Sequence, residues 1–191
     1  MVGLLSFYPT KNLGALGDAG AIVTNNKKTY DRLKMLRMYG EKKRYESQFI
    51  SKHSRMDELQ AAFLLTKMKN VNKWLSIRKK LAEIYMHGFS EINDLQLPSI
   101  LTNREHTFNL FVILTQKRDH LKQWLSDNGI ETGIHYPKPI HLIKPFLFTG
   151  KRGYFPQAEK WSKKGLSLPL HPFITSNQIK YVIKAVKQFF L

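Results

Sequence analysis

Glycine and polar residues break up the apolar positions at the start of the chain, which then fall into helical spacing. Residues 4–8 form a short apolar and aromatic run, residues 21–24 a second β-prone one, and Gly14, Gly17 and Gly20 punctuate the stretch between. Two strands joined by a glycine-rich loop are predicted. Thr24, Asn25 and Asn26 supply cap residues ahead of Tyr30, Leu33, Met35, Leu36 and Met38, whose spacing predicts a helix ending near Gly40. The polar residues 41–54 read as a loop. A second helix starts at Ser54 or Asp57, carries Met56, Leu59, Phe63, Leu64, Met68 and Val71, and runs on through Trp74, Ile77, Leu81, Ile84 and Tyr85 with a bend at residues 70–72.

Proline and polar residues at 97–103 mark a boundary, and a smaller α/β unit is expected beyond it. Residues 108–115 read as a strand, residues 117–128 as a helix stopped by Gly129, and residues 130–136 as a second strand or extended segment. A proline-rich loop at 137–145 precedes a helix at 156–164, an apolar stretch at 166–170 and a last helix from about Ser176. No internal repeat or low-complexity tract appears.

Composition is that of a soluble globular protein, with 42% hydrophobic and 24% charged residues among 191. No apolar run approaches the roughly 20 residues that cross a bilayer, so no membrane partner is expected. A cytoplasmic location is the natural expectation, and the lack of cysteine excludes disulfides, thiolate metal sites and cysteine nucleophiles. The formal charge of +17 invites a nucleic-acid reading. Its basic groups are scattered, at residues 42–44, 78–80 and 163–164, and carry no zinc-finger spacing or aromatic RNA-binding signature, which argues against that reading. An anionic substrate would gain from the same positive field.

The candidate chemistry begins at Lys11. A lysine amine is a poor nucleophile while protonated, and enzymes that use one hold it in a partly desolvated site. Lys11 follows Pro9 and Thr10 and precedes Asn12 and the glycines, a context that suits a fixed loop. The segment Ser6-Phe-Tyr-Pro-Thr-Lys11-Asn-Leu-Gly-Ala-Leu-Gly-Asp-Ala-Gly20 resembles the cofactor-lysine region of the DegT/DnrJ/StrS family of sugar aminotransferases. The resemblance implies pyridoxal 5′-phosphate as cofactor and Lys11 as the residue that bonds to it and shuttles a proton. It also makes Ser6 a contact to the cofactor phosphate. Gly14, Gly17 and Gly20 are treated as structural, and Asp18 as a brace for the loop.

Three further segments carry the resemblance. His53-Ser-Arg-Met-Asp-Glu-Leu-Gln-Ala-Ala62 is similar to a family stretch that opens on asparagine, a residue that reaches the partner subunit's cofactor phosphate; His53 stands in its place. Arg44 and Tyr45 resemble a Lys-Tyr pair lying near substrate in some relatives. Gly133-Ile-His-Tyr-Pro-Lys-Pro-Ile-His-Leu142 resembles the segment whose histidine and tyrosine, here His135 and Tyr136, face the sugar-nucleotide pocket. His135 and His141 lack metal-binding spacing and a nearby carboxylate, so no metal is expected. Residues 166–172 fit the family's closing strand, with His171 structural. Asn109 and Leu114 depart from the family, standing where histidine and arginine are common.

The resemblance implies an α/β chain with the C-terminal part of a fold type I, pyridoxal-phosphate-dependent aminotransferase. Residues 1–96 would be a remnant of the large cofactor domain with a long connecting helix, and 97–191 a complete small α/β domain. The implied reaction is transamination of a keto nucleotide-sugar, with glutamate as the amino donor, in a homodimer or in complex with a missing N-terminal half. Activity is expected only when that half is supplied. Two other readings stay open: a catalytically inactive dimerisation or binding remnant, and a basic nucleic-acid-binding module. An incomplete sheet should leave an exposed edge and apolar surface, and with them self-association.

Overall fold

Val2–Ser6 and Gly20–Thr24 form antiparallel strands β1 and β2, in a register that sets Leu4 opposite Ile22 and Ser6 opposite Gly20. Helix α1, Lys27–Arg37, starts earlier than its apolar spacing suggests, because the Asn26 side chain accepts the Thr29 amide at 2.8 Å. Lys34 and Arg37 occupy its last turn, where the helix end favours positive charge.

The stretch expected to be a loop contains a short hairpin, β3 at Glu41–Lys43 and β4 at Glu46–Ser47. Strands this short show no alternation to read. The turn into the hairpin needs glycine at residue 40, where φ is +74° and an added Cβ would meet the Phe49 carbonyl oxygen at 2.1 Å. Helix α2, Glu58–Met68, follows, and the expected bend separates it from α3, Val71–Gly88.

The computed structural model describes residues 1–190 and resolves the chain into two compact units, Met1–Lys73 and Trp74–Leu191. Ala15 and Leu64 are the buried hydrophobic side chains of the first unit. Leu4 is 77% exposed and Ile22 50%, while Leu5 and Val23, of opposite inclination, are also about half exposed at 48% and 52%. Both faces of the β1–β2 pair therefore carry exposed apolar side chains.

In the second unit β5, Phe111–Leu114, pairs antiparallel with β6, Gly165–Leu168. Helices α4 at Arg118–Asp127, α5 at Pro156–Lys164 and α6 at Ser176–Phe190 complete it. Leu81, Ala82 and Tyr85 of α3 pack into one core with Phe89, Phe111, Ile113, Leu121, Leu125, Leu166, Ile179 and Val186. Fully burying each large side chain contributes roughly 1.5–3 kcal/mol, so this unit holds most of the chain's hydrophobic stabilisation. Because α3 belongs to that core, the compact units divide well before the proline-bearing stretch at 97–103.

Of the two alternatives for residues 130–136, the strand does not form; a single bridge from Gly133 to Ser167 is all that pairs there. The strand expected over 108–115 shrinks to Phe111–Leu114, since Phe108 adopts a φ of +44° that ends extended pairing. No helix among the described residues is long and apolar enough to cross a membrane.

Candidate active site

Lys11 lies on the loop between β1 and β2, half-buried, in a turn closed by its own amide on the Tyr8 carbonyl at 2.8 Å. Phe7 anchors both sides of that loop: its amide donates to Ala19 O at 2.9 Å and its carbonyl accepts the Ala15 amide at 2.8 Å. Gly14 is obligatory, because a Cβ there would come within 2.3 Å of the Pro9 carbonyl oxygen. Among the described residues the Lys11 ammonium has neither a hydrogen-bond partner nor a carboxylate, which leaves the amine uncommitted.

Ser6 ends β1, and its hydroxyl accepts the Tyr8 amide at a long 3.4 Å. Together with Tyr8, Asp18, Gly20, Ser54 and Arg55 it lines a concavity of about 400 Å³. The hydroxyls of Ser6, Tyr8 and Ser54 and the Arg55 guanidinium are a donor set suited to phosphate, with Asp18 the one carboxylate in the lining. Lys11 itself is outside this lining and joins it through the turn on Tyr8. The residues present therefore fit the phosphate end of a pyridoxal phosphate. Asp18 is exposed and without a partner among the described residues; it does not brace the loop.

His53 is exposed and pairs by a bridge with Met38. Its Nε2 accepts from Arg55 Nε at 2.5 Å, so the neutral ring carries its proton on Nδ1 and keeps one donor to offer. Arg55 lies at an exposed position shared by the concavity beside Ser6 and a larger groove of about 1080 Å³. The signal available in sequence was its place between Ser54 and Met56 in the matched motif.

That groove, between α1 and the hairpin, holds Arg44 and Tyr45. The Arg44 guanidinium lies 5.0 Å over the Tyr45 ring, and Tyr45 is 82% exposed with a φ of +68°. Arg32, Lys34, Arg37, Lys42 and Lys43 share the lining with two carboxylates, Asp31 and Glu41. Asp31 is paired with Lys27 and Glu41 accepts the Tyr45 amide, so among the described residues the groove's own cations have no carboxylate partner.

His135 and Tyr136 belong to the second unit, where they line a concavity of about 440 Å³ with Pro139, His141, Phe155 and Trp161. His135 Nδ1 lies 2.8 Å from the Ser167 hydroxyl, which fixes the ring against β6; Tyr136 is exposed. The sequence showed no carboxylate near His141, but α5 brings Glu159 to 3.0 Å from its Nε2. The Gly153 amide, and then His141, hold the Glu159 carboxyl below its ordinary value. No group of three or more metal-ligating side chains occurs among the described residues.

Of the two family departures, Asn109 lies beside Arg78. This buried guanidinium donates to the carbonyls of Phe108, Asn109 and Leu170 at 3.1, 3.4 and 2.8 Å, and burial lowers its pKa. Asn109 Oδ1 is buried with no hydrogen-bond partner, and Leu114 is buried in β5. His171 has its pKa lowered by burial and by the nearby Arg78 charge, and its Nδ1 accepts the Phe173 amide at 3.2 Å, in line with a structural role.

Residues 1–187 match the model of the DegT/DnrJ/EryC1/StrS aminotransferase family. A protein of Geobacillus stearothermophilus called pleiotropic regulatory protein is 38% identical over 97% of this chain and 50% of its own length. The dTDP-3-amino-3,4,6-trideoxy-alpha-D-glucose transaminase of Streptomyces venezuelae is 36% identical over 98% of this chain and 50% of its own. Among solved structures, S. venezuelae DesV in complex with a ketimine intermediate superposes with a TM-score of 0.95 at 36% identity, covering 98% of this chain and 51% of that one. The chain thus spans about half the length of the curated relatives it matches.

Proposed function

Since the chain belongs to the DegT/DnrJ/EryC1/StrS aminotransferase family, whose cofactor is pyridoxal phosphate, we propose that it supplies the lysine-bearing half of a site that aminates a keto nucleotide-sugar. The observation that carries this reading is Lys11: an amine without a side-chain partner among the described residues, on a turn closed on Tyr8, which lines a concavity with Ser6, Ser54 and Arg55. Pyridoxal phosphate, when bound, supplies the electron sink for the carbon that loses or gains a proton.

Lys11 is the residue whose Nζ would hold that cofactor, and the same amine would carry the proton that the substrate carbon loses or gains. Positioned proton transfer of this kind contributes roughly 100- to 10,000-fold in rate. Ser6 and Arg55 would hold the phosphate, and His53 would offer its Nδ1 proton to the phosphate of a partner subunit. Arg44 and Tyr45 in the basic groove of the first unit are candidates for binding an anionic sugar-nucleotide, and His135 and Tyr136 are separate candidates in the second unit. Glutamate is the donor the family implies, and a cytoplasmic location belongs to the same reading.

Relatives are about twice as long, and their remaining half would supply the pyridine-nitrogen partner, a ring-stacking side chain and more phosphate donors. Hydrogen bonds to charged groups contribute about 1.5–3 kcal/mol each, so tight cofactor binding requires those residues as well. The open faces of β1 and β2 are where such a half would pack. A second reading, an inactive dimerisation or binding remnant, is favoured by the unpartnered Asn109 Oδ1 where relatives commonly have histidine.

The test adds pyridoxal phosphate to the chain together with the complementary half of a relative. A visible absorbance band fixed by borohydride and lost in Lys11→Ala supports the first reading. No band with both halves present overturns it.

A further inference from the structure

The glycine-rich loop and the Glu58-Leu-Gln-Ala-Ala run lie more than forty residues apart in sequence, yet they meet in the first unit. The side chain of Gln60 on α2 accepts the Leu16 amide at 2.8 Å. About two turns further along the same helix face, Lys67 donates its ammonium to the Gly14 carbonyl at 2.7 Å in a part-buried contact. Gly17 leaves space for this arrangement, since a Cβ there would come to 3.2 Å from Gln60 Nε2. Gly14 admits no side chain at all. Loop and helix are therefore matched in both hydrogen bonding and volume.

Residues 14 and 16 continue directly into Ala15, which is buried and bonded through its amide to Phe7. Phe7 in turn leads to Tyr8, whose carbonyl closes the turn that carries Lys11. Neither Asp18 nor any other carboxylate braces this stretch among the described residues. We infer that Gln60 and Lys67 are positioning residues for Lys11: α2 grips the loop at Leu16 and Gly14 and thereby fixes the turn from which the amine projects. The inference rests on the assignment of Lys11 as the cofactor-bonding lysine.

Two readouts on the full 191-residue chain test it. Amide hydrogen exchange at Lys11 and Ala15 reports the turn without involving either grip contact. Trapping with pyridoxal phosphate and borohydride in the presence of the complementary half of a relative, with the modified lysine mapped by mass, reports the selectivity of Lys11 over the other lysines and its pH midpoint. In Gln60→Ala and Lys67→Met, exchange at both amides should rise about tenfold, as expected for losing one charged or neutral hydrogen bond, and Lys11 selectivity should fall. Lys67→Arg should restore both, and Lys69→Met, at the exposed end of α2, should change neither.

Unchanged exchange at Lys11 and Ala15 would overturn the grip. Raised exchange with unaltered selectivity and pH midpoint at Lys11 would overturn its positioning role. Absence of preferential trapping in the unaltered chain with the complementary half of a relative present would overturn the assignment of Lys11, while the exchange data would still decide whether α2 holds the turn.

Discussion

His141 Nε2 lies 3.0 Å from Glu159 Oε1, and the same carboxylate oxygen accepts the Gly153 amide at 2.6 Å. A single oxygen thus ties a buried ring on the proline-rich segment to the backbone that leads into α5.

This pairing makes stability in the second unit depend on pH. The folded state holds Glu159 ionised below its ordinary value of 4.5, so the unfolded chain binds more protons there; its stabilisation is present above that value and is lost as pH falls through the folded one. His171 acts in the same direction at higher pH. Its folded value lies below 6.5, so acidification past 6.5 protonates the unfolded chain first. Urea midpoints read by tryptophan fluorescence should fall in two stages between pH 7.5 and 3.5, the upper stage missing in His171→Asn and the lower in Glu159→Gln. A flat profile would contradict both.

Arg78 is held by three carbonyls and no carboxylate among the described residues. Replacing it with methionine keeps much of the volume and strands those acceptors. The expected loss is about 3–5 kcal/mol in urea unfolding. A change under about 1 kcal/mol would mean that water satisfies the carbonyls as well as the guanidinium does.

Gly40→Ala places a Cβ against the Phe49 carbonyl oxygen at a φ of +74°. The hairpin bearing Arg44 and Tyr45 should open, and protection of the Gln48 amide, which donates to the Gly40 carbonyl at 2.9 Å, should vanish in hydrogen exchange. The second unit should melt as before. Retained Gln48 protection would show that the turn tolerates a side chain.

The β1–β2 faces predict self-association. Light scattering should give a mass above that of a monomer, and Leu4→Lys with Ile22→Lys should lower it, with little effect on the fold because both side chains are exposed. A monodisperse monomer of the unaltered chain would contradict the expectation.

Long periodic elements were legible in sequence because their apolar faces repeat: α1, α2 with the bend after it, α4 and α6 all lie close to where spacing places them. Short elements were not. The three- and two-residue strands of the β3–β4 hairpin carry no period, and residues 130–136 look β-prone while pairing only at Gly133. At the site, motif similarity led to Lys11, Ser6 and the glycines. Gln60 and Lys67 escaped it because their partners are backbone atoms far away in sequence, which no side-chain pattern encodes. Glu159 could not be linked to His141 without knowing that α5 folds back on the proline-rich segment.

The loop that carries Lys11 and the helix that grips it lie within residues 6–67 of one continuous stretch. That contiguity has a consequence for inheritance. A genetic exchange between relatives with its crossover after residue 68 passes on the lysine and its supports as one trait. A crossover between residues 20 and 58 joins a loop from one lineage to a helix from another, and the fit of Gly17 to Gln60 must then survive by chance.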